Sequence, residues 1–328
     1  MSPVRNLLLP IVVGLICVVV AGCVPNQSRV SGTESPQAKE MQARELREST
    51  AKLVDRNDAD SLAAAAVLLY ADGPGAALLS SKRAMEMAPG RPDLAWLQSR
   101  LCAKTPNVAP GCDPEPAERA LRNLDPANGA GWLGALERAN RSNDTAAIDA
   151  VLGEMAKRER FDIYVNPLVS HLVPAFANAK VKPLPDAITF VFGQVAAFLI
   201  PAYRILGDPC KGEALKRKER LQACRAIAAS LVRGDALITQ SFGNVMTLRT
   251  WPAESDAAQA AIEARRQSHY LRSMLGEIET GRKWTPRSAQ DYVQILSANG
   301  TEDASARAQI VAAGRSADPP PGWIDSAP

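Results

Sequence analysis

Met87-Ala88-Pro89, with Leu94-Ala95-Trp96-Leu97 behind it, is answered further along by Leu124-Asp125-Pro126, with Ala130-Gly131-Trp132-Leu133 behind that. Pro89 and Pro126 lie 37 positions apart, and Trp96 and Trp132 lie 36 apart. A proline inside a helix removes an amide hydrogen and clashes with the carbonyl one turn back, so each junction ends one helix and opens another. Working outward, 76–88 and 93–103 read as one helical pair, and 115–124 with 130–140 as a second. A further helix at 145–160 follows. Both tryptophans are expected in the core. Aromatics make up only 5% of the chain and alternating β-branched runs are few, while alanine is abundant, as in helices packed closely side by side. The expected fold class is all-α.

The period is near the roughly 34 residues of a tetratricopeptide repeat. Leu124-Asp125-Pro126 with Trp132 resembles the junction signature of that family over 76–160, about two repeats, although the inner Gly-x-x-Tyr signature is poorly matched. The resemblance implies an irregular array of helical hairpins. Unrelated antiparallel hairpins are the alternative. Further helices are expected at 38–56, at 58–72 with Asp60 as N-cap, at 167–180, and from about Lys216 to 233. Others are expected at 236–248, 256–275, 288–298 and 302–313. The most apolar stretch, 187–206, has Gln194 as its only strongly polar residue before Arg204 and ends near Pro201. It is expected to be a helix buried on most sides; a membrane span and the wall of an apolar pocket are the alternatives.

The first residues have the three parts of an export signal: Arg5, an apolar run over 7–20, and small residues leading into a cysteine. That run is shorter than the roughly 20 apolar residues that span a bilayer. Val20-Ala21-Gly22-Cys23 resembles the lipobox of bacterial lipoproteins. The resemblance implies cleavage before Cys23, a thioether to diacylglycerol on its sulfur, and N-acylation of the new terminus. Several buried acyl chains give stable anchoring. Val24 follows the cysteine in place of Asp, which by the sorting rule of enteric bacteria favours the outer membrane, facing the periplasm, over the inner. The expected organisation is signal 1–22, lipidated tether 23–36, helical-repeat region 37–160, C-terminal helical region 161–314 and Pro-rich tail 315–328, with one or two helical subdomains.

Cys17 leaves with the signal and Cys23 is acylated on this reading, which leaves Cys102, Cys112, Cys210 and Cys224. An even number in an exported chain reads as two disulfides, with three possible connectivities. The local pairing, Cys102–Cys112 and Cys210–Cys224, is preferred. A continuous helix from Cys210 to Cys224 would hold the α-carbons about 21 Å apart, beyond disulfide reach, so Lys211-Gly212 must turn the chain. A zinc site is the rival, but no C-x-x-C pair is present, and His171 and His269 lie far off in sequence. Neither a metal nor a cofactor is expected.

A net charge of +3 leaves no nucleic-acid footprint. Ser49-Thr50-Ala51-Lys52 matches S-x-x-K without its K-T-G or S-D-N partners. The basic run Lys216, Arg217, Lys218 and Arg220 reads as a solvated helical turn, with lipid headgroups as the alternative partner. Glu254-Ser255 resembles the Glu-Ser pair of soluble lytic transglycosylases, in which a single carboxylic acid cleaves peptidoglycan. The Gly-Leu-x-Gln segment of that family is replaced here by Asp256-Ala257-Ala258-Gln259. His171, among apolar residues, is expected to be a hydrogen-bonded core histidine, and His269 to lie exposed or partly buried. Gly111-Cys112-Asp113-Pro114 and Asn128-Gly129-Ala130-Gly131-Trp132-Leu133 resemble segments of cysteine-containing lipoproteins of Gram-negative bacteria, a likeness that carries fold and location but no activity. The expected function is a lipid-anchored periplasmic scaffold for an envelope protein partner, held to the membrane through Cys23. Two alternatives stand beside it. One is a cell-wall hydrolase using Glu254, and the other a carrier with an apolar pocket at Phe190, Phe192 and Phe198.

Overall fold

The computed structural model describes residues 35–104 and 112–323; Cys23 and the lipobox lie outside them. The described chain is all-α, as its composition implies. Helix α1 (Pro36–Asp55) starts at Ser35, whose hydroxyl accepts from the Ala38 amide, and only Leu53 along it is buried. Helix α2 (Ala59–Leu69) is capped by Asp58, which accepts from the Ser61 amide at 2.8 Å. Asp60 was the expected cap; it sits inside the first turn and is committed elsewhere. Leu62 to Val67 are all buried, and their mostly alanine side chains let neighbouring helices approach closely. Helices α3 (Pro74–Met87) and α4 (Pro92–Lys104) each begin at a proline, whose missing amide hydrogen costs nothing there.

The two tryptophan junctions are alike in sequence and different in structure. Trp96 lies within α4 and is fully buried. After α5 (Glu115–Leu124), Asn128 accepts from the Ala130 amide and tightens Gly129–Trp132 into a 3-10 turn. Helix α6 (Leu133–Arg141) starts only after Trp132. Trp132 is therefore partly buried, with the guanidinium groups of Arg122 and Arg158 at 4.8 and 5.5 Å from its ring. Helix α7 (Thr145–Met155) ends short of the expected 160. Sequential helices pack as hairpins, α2 on α3, α3 on α4 and α6 on α7.

The centre is α8 (Val165–Asn178), which packs on α2, α4, α9 (Leu184–Gln194) and α14 (Pro286–Ala298). A solenoid repeat touches only its neighbours; here the chain closes around one helix. A single hydrophobic cluster runs from Leu53 to Leu296, with members on both sides of position 160. The apolar 184–207 stretch corrects one expectation, that of a single helix. It is broken into α9, a π-turn (Val195–Leu199) and a single turn α10 (Arg204–Gly207). It is buried or half-buried on most sides, as expected, with Asp186, Thr189, Gly193, Ala197, Ala202 and Arg204 its exposed residues. By length and composition, Leu184–Gly207 could cross a membrane, and 39% of its apolar window is buried.

Cys102 is bonded to Cys112 and Cys210 to Cys224, each with α-carbons 5.7 Å apart. Gly212 makes the required turn at φ +56°, and helix α11 (Lys218–Val232) begins after it. Removing the second bond by Cys210→Ser with Cys224→Ser should cost about 2–3 kcal/mol, read from urea unfolding of the oxidised protein. Helix α12 (Leu237–Thr250) lies against α11 at Gly243, where a Cβ would meet the Val232 nitrogen at 2.7 Å and the Ala228 oxygen at 3.0 Å. Gly243→Ala should therefore destabilise by about 1–3 kcal/mol. Gly276→Ala is the control on helix α13 (Asp256–Gly281), where a Cβ meets nothing within 4 Å; it should gain up to about 1 kcal/mol. Helix α15 (Glu302–Ala312) leads to a terminal strap in which Tyr270 donates to the Ser316 carbonyl and packs edge-on against Trp323.

A polar seam joins the residues before α8 to both flanks. Tyr164 adopts the left-handed region, φ 57° and ψ 37°, and donates its hydroxyl to Asp125 at 2.6 Å. Arg160 pairs with Asp125 and Asp162. Asp235 accepts from the Ile163 amide at 2.7 Å, and its own carbonyl accepts from the Glu302 amide at 2.7 Å. Glu302 in turn accepts from the Leu237 amide and caps α12. Burial, then the nearby charge of Asp162, raises the Asp235 carboxyl to about 8. Burial also raises Asp162 and Glu302.

Candidate functional site

The residues singled out in the sequence scatter. Phe198 is fully buried and stacks on Tyr70 at 4.5 Å. Phe190 meets Phe176 edge-on at 5.3 Å, and Phe192 meets Tyr292 at 6.1 Å. The three rings make three separate ring contacts and line neither of the cavities of about 290 and 300 Å³. Glu254 is exposed in the turn before α13, away from both cavities. Ser49 and Lys52 lie on α1, with no K-T-G or S-D-N element in the chain to complete the motif. Among the described residues, no group of three His, Cys, Asp or Glu side chains could hold a metal.

His171 corrects a second expectation. It stands exposed on α8, outside the core, with Nδ1 3.3 Å from Asp60 Oδ2. Asp60 also accepts from Arg91 at 2.7 Å, and Arg91 Nε donates to Asp93 at 2.9 Å. Asp93 is buried in the first turn of α4, where free helix amides favour a carboxylate. This chain of charges ties α2, α4 and α8 together at the surface. The hydrogen bond with His171 and the Arg91 guanidinium hold the Asp60 carboxyl down at about 2, against the opposing effect of burial.

Beside His171 opens a groove of about 290 Å³, lined by Pro167 and Ser170 from α8 and by Leu296, Ser297, Asn299 and Gly300. Asn166 fixes its far wall, donating to the Asn299 carbonyl at 3.0 Å and to Ser305 at 2.7 Å. Ser170 donates to the Pro167 carbonyl and Ser297 to the Gln294 carbonyl. An activated nucleophile would instead donate to the imidazole. The groove thus presents an oriented histidine and fixed polar atoms at the lower limit of ligand-pocket size, room for one or two side chains of a partner. His171 and Asp60 lie on separate helices far apart in sequence, so no local motif announced the pair. Compared with known proteins, the chain matches no family model, no curated protein and no solved structure.

Proposed function

We propose that the protein is a lipid-anchored helical scaffold on the periplasmic face of the outer membrane, holding an envelope protein at the His171 groove. The observation that carries this reading is the closure of both cysteine pairs into local loops, in a chain whose first 23 residues read as an export and acylation signal. Disulfides persist in oxidising compartments, the periplasm among them. The groove supports binding over catalysis, because its histidine is held by Asp60 while both serines are committed to helix carbonyls.

In-cell crosslinking with affinity capture tests it, using wild type, Cys23→Ser and His171→Ala. One dominant envelope protein should be captured by wild type, lost from the mislocalised Cys23→Ser chain, and reduced at least about fivefold by His171→Ala, as for a contact worth more than 1 kcal/mol. Recovery of peptidoglycan fragments or lipid with no protein partner would contradict it.

A further inference from the structure

The His171 groove and the acid seam share a wall. Asn299 and Gly300 line the groove, and directly after them Glu302 opens α15. Glu302 is tied into the seam twice: its amide donates to the Asp235 carbonyl, and its carboxylate accepts from the Leu237 amide, both at 2.7 Å. The other hold on the wall is Asn166, which follows closely on Tyr164 and donates to the Asn299 carbonyl and to Ser305. The seam gathers the carboxyls of Asp125, Asp162, Asp235 and Glu302. Only Asp125 and Asp162 are paired with a guanidinium, that of Arg160. Arg233, at the end of α11, is exposed and donates to the Glu159 carbonyl instead. Tyr164 gives its hydroxyl to Asp125, and the Tyr203 hydroxyl is bonded to Thr239. Asp235 and Glu302 are left with backbone amides as partners and, among the described residues, no cation.

We propose that the seam is a proton-operated latch on the groove: protonated Asp235 keeps Glu302 seated and the groove wall in place, and ionised Asp235 drives Glu302 out and frees the wall at 299–302. Burial and the charges of Asp162 and Glu302 hold the Asp235 carboxyl up at about 8, so it is neutral at pH 7 and charged above that value. A charge there stands beside two like charges in a poorly solvated place, where repulsion is strong. The amides of Ile163 and Tyr164 bond an ionised Asp235 more tightly, so it stays. Glu302 is half-buried and holds one amide, so it is the group that moves to water. Coupling of this kind is reciprocal: whatever fills the groove and steadies its wall favours the protonated seam, and its affinity falls as pH rises through about 8. The latch rests on the proposed reading only for what the groove holds, and its test needs no partner.

The chain has two histidines, His171 and His269, so ring-labelled histidine gives two imidazole signals in NMR, told apart by His171→Gln. The chain from residue 23 onward, carrying Cys23→Ser and secreted so that its disulfides form, is titrated from about pH 5 to pH 10. Besides the step of the imidazole itself, the His171 signal should show a second step near pH 8, where Asp235 ionises and the wall moves. Asp235→Asn should abolish the second step and keep the first. Glu302→Gln, which keeps an oxygen for the Leu237 amide and carries no charge, should shrink the second step. Far-UV circular dichroism should stay constant through it. A single step in the wild type, or a second step left unchanged by either substitution, would overturn the proposal. So would loss of helix across the same range, which would mark global unfolding in place of a local latch. Capture of a partner is scored separately by crosslinking, so failure of the scaffold reading and failure of the latch are told apart.

Discussion

Asp235→Asn should flatten the dependence of stability on pH between about pH 4 and pH 8. Asp235 is 5% exposed and its carboxyl is raised to about 8 in the folded protein, by burial first and by Asp162 and Glu302 as well. Its ordinary value is 3.8. Within that window the folded protein holds a proton that the unfolded chain has lost. Stability therefore falls as pH rises, by at most about 1.4 kcal/mol per unit from this group. The loss is complete above the folded value. Asparagine keeps an oxygen for the Ile163 amide and carries no charge, so the variant should gain on wild type steadily from pH 5 to pH 8. The other groups acting on this carboxyl are the backbone amides of Ile163 and Tyr164, which favour its charged form, with Tyr203 nearby. Asp60 acts with the opposite sign, since its depressed value stabilises above about pH 4 and is lost only as pH falls towards 2. Urea unfolding at pH 5, 6.5 and 8 checks the result, and parallel slopes for the two proteins would contradict it.

Phe161→Ala should cost about 3–5 kcal/mol, the range for truncating a fully buried aromatic side chain. Phe161 is 0% exposed at the junction of the expected 37–160 and 161–314 regions. Its ring lies 6.4 Å from that of Tyr203. Its carbonyl lies so close to Gly234 that a Cβ there would meet it at 2.4 Å. Because one cluster spans both regions, the loss should lower a single unfolding transition, with far-UV circular dichroism and tryptophan fluorescence moving together. Two separated transitions, with only one displaced, would mark independent halves.

Local signals in the chain were legible and long-range ones were not. The Pro89 junction placed the start of α4 within one residue, and the expected starts of α3, α13 and α14 at 76, 256 and 288 fall within two residues of those observed. The geometric demand of Cys210–Cys224 located the Gly212 turn, because an i,i+14 bond cannot close on a straight helix. Asp58 and Asp60 are both plausible caps by type. The choice between them was made by Arg91, 31 positions downstream of Asp60, which sequence pattern does not display. The Trp132 junction differs from the Trp96 junction for a local reason that composition hides: Asn128 holds the Ala130 amide and winds a 3-10 turn where Trp96 has a helix. His171 looked apolar-flanked because its neighbours Leu172 and Val173 face the core, while the helical turn carries the imidazole to the other side.

Mass analysis of the intact protein extracted from cell membranes, followed by non-reducing peptide mapping, tests the account most directly. The account predicts a chain beginning at Cys23 that carries diacylglycerol and an N-acyl chain, with Cys102 linked to Cys112 and Cys210 to Cys224. A chain that retains residues 1–22 with unmodified Cys23, or four free thiols in the body, would contradict the export and anchoring on which the proposed function stands.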